Sequence, residues 1–228
     1  MAGALHSHRS LTPSSTLTSF VPAVLLSLTV CACSSEPVVE ASVEARVTRS
    51  GTSVSDRLPN FELRTHEGRP VRFYDDLVKD RTVLVNFMYA TCTGVCPGST
   101  RNLVKIHELL GDRVGNDIVM LSLTIDGDNV DTPEALRAYA DRYGGPRPGW
   151  LYLTGDYQQI DAIRRSLGVY DLDPVIDADK TQHSGLLTFG NDRTDRWSAL
   201  PALMDTQMLV EAVLRVAGEN PTAPTTDG

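Results

Sequence analysis

Cysteine, aromatic residues and positive charge are all scarce in this chain of 228 residues. Of the four cysteines, only Cys92 and Cys96 lie in the body of the sequence. Two are too few for a disulfide framework but enough for one redox or metal site. Lysine and arginine number 21 against 29 acidic residues, a net charge of −8. Histidines aside, the first 32 residues carry only one charge, Arg9, so removing them leaves 20 basic against 29 acidic, a net of −9. The basic stripe of a nucleic-acid binder is missing, and such a surface suits a solvated protein that meets a basic partner or a cation. The apolar run Phe20 to Val30 is too short for a comfortable bilayer span. No internal repeat is visible.

That run has the length of a signal-peptide core and follows a polar, weakly basic segment rich in Ser and Thr. Next comes Val30-Cys31-Ala32-Cys33, which resembles a bacterial lipobox with Ala32 before the cleavage point and Cys33 as the lipid-accepting residue. An ordinary secretory signal and an uncleaved short anchor are the alternatives. The cysteine pair at this point favours the lipoprotein, and all three readings export the body. Residues 1–32 are therefore expected to be a lipoprotein-type signal peptide, 33–56 a flexible tether, 57–217 the folded domain and 218–228 a disordered tail. About twenty residues of flexible coil span on the order of 25 Å.

Within the body, Phe61 to Thr65 and Val71 to Phe73 read as strands of a hairpin turning at His66 to Arg69, followed by a short helical turn from Asp75 to Asp80. Val83 to Tyr89 is a run of β-formers and aromatics, the pattern of a buried strand. It empties into a turn holding Cys92 and Cys96. Pro97 is expected at the first position of a helix striped by Leu103, Ile106 and Leu110. Asp117 to Thr124 is a second buried strand. Thr132, Pro133 and Glu134 cap and open a helix reaching about Tyr143. A short strand Trp150 to Leu153 and a helix marked by Ile160, Ile163 and Leu167 follow, then a polar loop from Asp171 to Thr181. Strands Leu186 to Phe189 and Arg196 to Ala199 flank a hairpin turn at Asn191-Asp192, and a last helix carries Leu209, Val213 and Val216. Alternating strands and helices imply a parallel centre. The expected fold is an α/β, thioredoxin-like sandwich with an added N-terminal β-hairpin and a late antiparallel hairpin.

The Cys-x-x-x-Cys spacing is expected to set both sulfurs on one side of a helical turn. Exposed amides at the helix N-terminus would favour a thiolate at Cys96. Two thiolates are soft donors that select Cu(I) or zinc over hard cations. A third ligand has three candidates in the body. His66 sits in the hairpin turn, and His107 lies in the striped helix as a surface residue. His183, after the acidic loop, enters a strand at the sheet edge shared with the cysteine turn, and it stands out only in combination with the cysteine pair.

Three blocks, FMYATCTGVCP (Phe87 to Pro97), VDTPEALRAYA (Val130 to Ala140) and QHSG (Gln182 to Gly185), resemble the signature blocks of the Sco/SenC family. The resemblance runs from about Leu58 to Val216. Members are exported, membrane-tethered, thioredoxin-like copper proteins that help assemble the binuclear copper site of cytochrome c oxidase. By that resemblance Cys92, Cys96 and His183 would bind copper, Cu(I) or Cu(II), through two sulfurs and an imidazole nitrogen. Asp131, Thr132 and Pro133 would form a helix-opening block of structural weight. The partner would be an apo cuproenzyme subunit such as the copper-bearing subunit of cytochrome c oxidase. The protein would face the periplasm of a bacterial cell envelope, held to the membrane by lipid on Cys33. The family often has an acid just before the histidine. Gln182 stands there instead and removes a carboxylate that would orient the imidazole.

Two other readings of the cysteine pair remain. In a thiol–disulfide reductase, one cysteine attacks a disulfide and the other resolves it, although dedicated enzymes of this fold usually carry Cys-x-x-Cys. A structural disulfide closing so small a loop would stabilise by well under the roughly 3 kcal/mol of a fifteen-residue loop. A peroxidase is disfavoured because Ala90-Thr91, not a Pro and Thr pair, precede Cys92. The sequence thus points to a metallochaperone with reductase chemistry as its alternative.

Overall fold

The computed structural model describes residues 53–182 and 185–218. The expected signal peptide, the lipid-bearing Cys33, most of the tether, His183 with Ser184, and the tail beyond Gly218 lie outside the described residues. Val54–Arg57, at the end of the segment read as tether, forms a short helix α1 whose first N–H donates to Asp195 Oδ1 (3.0 Å).

In chain order the elements are β1 (Glu62–Thr65), β2 (Pro70–Arg72), a π-helical turn (Phe73–Val78), β3 (Thr82–Met88), α2 (Val95–Leu110), β4 (Ile118–Thr124), α3 (Pro133–Asp141), β5 (Trp150–Thr154), α4 (Tyr157–Ser166), α5 (Pro174–Ala178), β6 (Leu186–Asn191), β7 (Arg196–Pro201) and α6 (Thr206–Ala217). The strands form one sheet in the order β2-β1-β5-β4-β3-β6-β7. Its centre, β3-β4-β5, is parallel, and the hairpins β1-β2 and β6-β7 join antiparallel at either side. This is the expected thioredoxin-like α/β sandwich with an N-terminal and a late hairpin.

Strands β3 and β4 read as nearly continuous apolar runs, broken inside by Asn86 and Ser122, because both of their faces are covered. Val83, Val85 and Phe87 with Val119, Leu121 and Leu123 pack under α4 and the π-helical turn. Leu84, Met88, Ile118 and Met120 pack on the opposite face with residues of α2, α3 and α6. Polar groups on that second face are satisfied in series. Trp150 Nε1 donates to Ser122 Oγ (3.0 Å), which donates to Asn86 Oδ1 (2.6 Å) on the paired strand.

Several boundaries differ from expectation, each for a local reason. The helical turn begins at Phe73, since Asn60 Oδ1 accepts the N–H of both Tyr74 and Asp75 while Asp76 accepts that of Arg72. Helix α3 stops at Asp141, short of Tyr143. The β6-β7 connection is a 3₁₀ turn, Asp192–Thr194, closed by Asp195 in the left-handed region (φ 51°), and Asn191 ends the strand. The acidic segment expected as a loop contains α5, capped by Asp173 on the N–H of Val175 with Pro174 at its first position.

The hairpin turn at His66 is observed, but the ring is buried. Its Nδ1 accepts the N–H of Tyr152 (3.3 Å), its edge packs on the Tyr152 ring, and Nε2 is buried without a partner. Burial holds its pKa below the ordinary imidazole value; Glu67 and the Tyr152 backbone oppose that shift, and Arg137 and Arg69 add to it. The unfolded chain therefore takes up the proton first. Stability is full above about pH 6.5 and falls as pH drops, by at most about 1.4 kcal/mol per pH unit for one proton. His66→Asn keeps the acceptor for Tyr152 and removes the titration. Denaturant melts from pH 7 to 5 should show a flatter profile for this variant than for wild type, and parallel profiles would contradict the assignment.

Candidate metal and dithiol site

Beyond Met88 the ladder extends one step, with Ile125 N–H donating to the Met88 carbonyl (2.8 Å). The chain then leaves the sheet through Tyr89 to Gly94 and enters α2 at Val95. Gly94 is the N-cap, so Cys96 is the second helical residue and Pro97 the third, not the first as expected. Proline is tolerated there because the first four helical N–H groups lack intrahelical partners in any case. Cys92 precedes the helix, so the pair does not share one helical turn. A turn with Cys92 N–H donating to the Tyr89 carbonyl (3.1 Å) folds it back instead. Both cysteines are buried thiols, 7% and 2% exposed.

The turn is clamped at the Ala90 peptide. Asp131 Oδ2, on a residue 1% exposed, accepts the Ala90 N–H (2.8 Å) and the Thr124 hydroxyl. Arg142 Nη2 donates to the Ala90 carbonyl (2.7 Å), and its guanidinium lies 4.8 Å over the Tyr139 ring. Hydrogen bonds to charged groups contribute about 1.5–3 kcal/mol each. Thr132 and Pro133 cap and open α3 as expected, while the neighbouring Asp131 serves the cysteine turn.

The two sulfurs differ in character. Burial opposes a thiolate at Cys92, yet the Cys96 thiol, the N–H groups of Cys96 and Gly94, and the Tyr89 hydroxyl all hydrogen-bond its sulfur and bring its pKa below the ordinary thiol value. Burial pushes Cys96 up to about 12, and its hydrogen bond to Cys92 adds to the rise. Backbone hydrogen bonds from Tyr89 and Cys96 also favour a thiolate at Cys96, but burial outweighs them. The thiolate is therefore favoured at Cys92 and not at Cys96, which corrects the expectation. Burial, then the contact with Cys92, pushes Tyr89 up to about 12.

Cys92 and Cys96 are brought together; His66 and His107 are not part of the site. His107 lies in the last turn of α2, with Nε2 2.8 Å from the Pro148 carbonyl and its ring stacked on Trp150. Among the described residues, no three His, Cys, Asp or Glu side chains form a group that could hold a metal. His183 lies outside the described residues, but the chain on either side of it abuts the cysteine turn. Lys180 Nζ sits 4.9 Å from the Tyr89 ring centre and 2.9 Å from both carboxylate oxygens of Asp126. Gly185 packs so closely on Val95 that a Cβ there would fall 2.8 Å from a Val95 methyl. Sequence reasoning missed Tyr89, Lys180 and Arg142. Lys180 carried a signal, being the only base between Asp171 and Thr181.

Because the thiolate is favoured at Cys92, iodoacetamide at pH 8 should alkylate Cys92 before Cys96 in the reduced, metal-free chain, as read by peptide mass spectrometry. Tyr89→Phe removes one hydrogen bond to that thiolate and should slow Cys92 labelling severalfold. Faster labelling of Cys96 would contradict the assignment.

A sequence model described as SCO1/SenC matches residues 50–218. The chain is 32% identical over 111 residues to a SCO2-like protein of Rickettsia conorii, covering 49% of this chain and 51% of that one. It is 34% identical over 113 residues to the protein SenC of Rhodobacter capsulatus, covering 49% and 48%. The chain thus spans about half the length of these curated relatives. Among solved structures, a SCO1/SenC family lipoprotein from Bacillus anthracis superposes with a TM-score of 0.58 at 20% identity over 71% of this chain and 95% of that one. ScoI of Bradyrhizobium japonicum with copper bound gives 0.53 at 24% over 68% and 96%. BsSco, described as a member of the Sco family of cytochrome c oxidase assembly proteins with a disulfide switch, gives 0.54 at 20% over 71% and 93%. At these identities the structural likeness establishes the fold, and the sequence model, spanning most of the chain, establishes the kinship: the chain belongs to the SCO1/SenC family.

Proposed function

We propose that this protein is an exported copper carrier that holds one copper ion through Cys92, Cys96 and His183 and hands it to an apo cuproenzyme subunit, such as the copper-bearing subunit of cytochrome c oxidase. The observation that carries the reading is the meeting of two thiols in one hydrogen-bonded pair at the end of β3, with the thiolate favoured at Cys92. Such a soft, two-sulfur donor set fits Cu(I), and an imidazole adds a donor suited to Cu(II). Zinc is the competing ion. Copper here is cargo, so its ligands must exchange, and Cys92 is the sulfur readier to take up the metal as a thiolate. His183 is supported by its neighbours. Two residues on, Gly185 packs against Val95, and consecutive Cα atoms are only about 3.8 Å apart. The copper-bound relative and the oxidase-assembly relative support the cargo and the partner.

The same proposal gives the chain a lipoprotein signal over 1–32, lipid on Cys33, a tether over 33–56, a folded domain over 57–217 and a position on the periplasmic face of the membrane. Among the described residues, no helix is long and apolar enough to cross a membrane. The related lipoprotein supports the anchor.

A second reading uses the same sulfurs, and their unequal pKa values favour it. The Cys92 thiolate attacks an acceptor disulfide, forming a mixed disulfide and expelling one acceptor thiolate. Cys96, once deprotonated, displaces the second, so the acceptor gains two electrons and two protons and Cys92–Cys96 becomes a disulfide.

Metal analysis on the reduced protein should find one copper per chain. Cys92→Ser or Cys96→Ser should abolish tight binding. His183→Ala should weaken binding and change the Cu(II) electron paramagnetic resonance spectrum. An unchanged spectrum would remove His183 from the site, and zinc displacing copper in competition would overturn the cargo.

A further inference from the structure

The segment from Tyr170 to Asp179 displays apolar side chains on a fixed backbone. Leu172 is 89% exposed, Val175 77%, Tyr170 43% and Ile176 39%. Asp177 fastens the segment to α4. Its carboxylate, on a side chain 4% exposed, pairs with Arg164 (2.6 Å) and Arg165 and also accepts the N–H of Asp171 (2.9 Å). Arg164 further donates to the Val169 carbonyl (2.9 Å), and Asp173 caps α5. A loose loop could fold its leucine and valine inward. This one is pinned at both ends of the apolar stretch, so the side chains stay in water, the mark of an interaction site.

The charges around it say what fits there. Asp171 and Asp173 flank Leu172, both exposed, and no base lies between Tyr170 and Asp179. Two bases border the patch and both are engaged: Arg165, over the Tyr170 ring, pairs with Asp161 and Asp177, and Lys180 is held by Asp126 and Tyr89. The carboxylates of Asp171 and Asp173 beside Leu172 therefore set the charge of its tip. A second copy of so acidic a chain, or an anionic membrane, meets like charge at this rim. A basic protein surface meets its complement. The location also matters, because Lys180, three residues past Asp177, rests on the Tyr89 ring whose hydroxyl bonds Cys92.

We propose that Leu172, Val175 and Ile176 form a docking knob for a partner protein with an apolar hollow bordered by lysine and arginine, which seats that partner beside Cys92. That the partner is the copper acceptor rests on the function proposed above; the knob itself can be measured without metal.

The test uses the full chain and the purified apo copper-binding domain of the cytochrome c oxidase subunit from the same organism, both metal-free, in isothermal titration and stopped-flow association. The paired change Leu172→Ser and Val175→Ser should weaken association at least tenfold, with melting temperature and copper stoichiometry unchanged. Asp171→Asn with Asp173→Asn keeps the caps, since asparagine caps as well as aspartate. It should slow association severalfold at low salt and flatten its dependence on ionic strength. Wild-type affinity in the serine variant, or no association of wild type with this domain, overturns the knob. So does sedimentation showing self-association that the serine changes abolish, or association that needs removal of residues 1–52. If the chain binds no copper while the serine variant still loses association, the carrier reading falls and the knob stands.

Discussion

The two sulfurs stand where they do because a buried carboxylate holds the peptide two residues before the first of them. Asp131 is almost wholly removed from water, and it reaches both the Ala90 N–H and the Thr124 hydroxyl. Ala90 lies two residues past the end of β3 and Thr124 ends the neighbouring parallel strand β4, so one side chain ties the cysteine turn to the centre of the sheet. Arg142 takes the carbonyl of the same residue, in the next peptide group. A loop that must present two sulfurs to an ion or a disulfide cannot rely on its own backbone bonds, and here the fold supplies the missing rigidity from the residues that flank α3.

From that fixed turn follows the inequality of the thiols. Cys92 lies outside the helix and receives its first amides, while Cys96 lies inside the helix and donates toward Cys92. The thiolate is favoured at one sulfur and disfavoured at the other. Carrier and reductase chemistry both need this order, with one ligand or nucleophile ready and the second recruited after the first bond forms. The Lys180–Tyr89 contact then links the turn to the segment that leads to residue 183 and, through Asp177, to α4.

Much of the architecture was legible from residue pattern, and the reasons are physical. β3 and β4 announced themselves because burial on both faces demands continuous apolar residues, and α3 because Thr132 and Pro133 are local signals whose partners lie within one turn. Elements set by distant partners were hidden. Helix α5 is five residues long and owes its position to ion pairs with Arg164 and Arg165 on α4. The start of α2 was misplaced because Gly94 caps it without a side-chain signal, so the proline drew the boundary two residues too late. The cysteine pair itself was plain in the sequence. Which sulfur meets the helix amides depends on a turn that no spacing rule describes, and the hydroxyl of Tyr89 was concealed inside a run that reads as strand.

X-ray absorption at the copper edge of the Cu(I)-loaded full chain tests the central claim most directly. Two sulfur scatterers in the first coordination sphere of wild type, and at most one around whatever weakly bound copper Cys92→Ser or Cys96→Ser retains, are the predicted result. A sphere of nitrogen and oxygen alone, or two sulfurs that persist in both variants, would contradict the account.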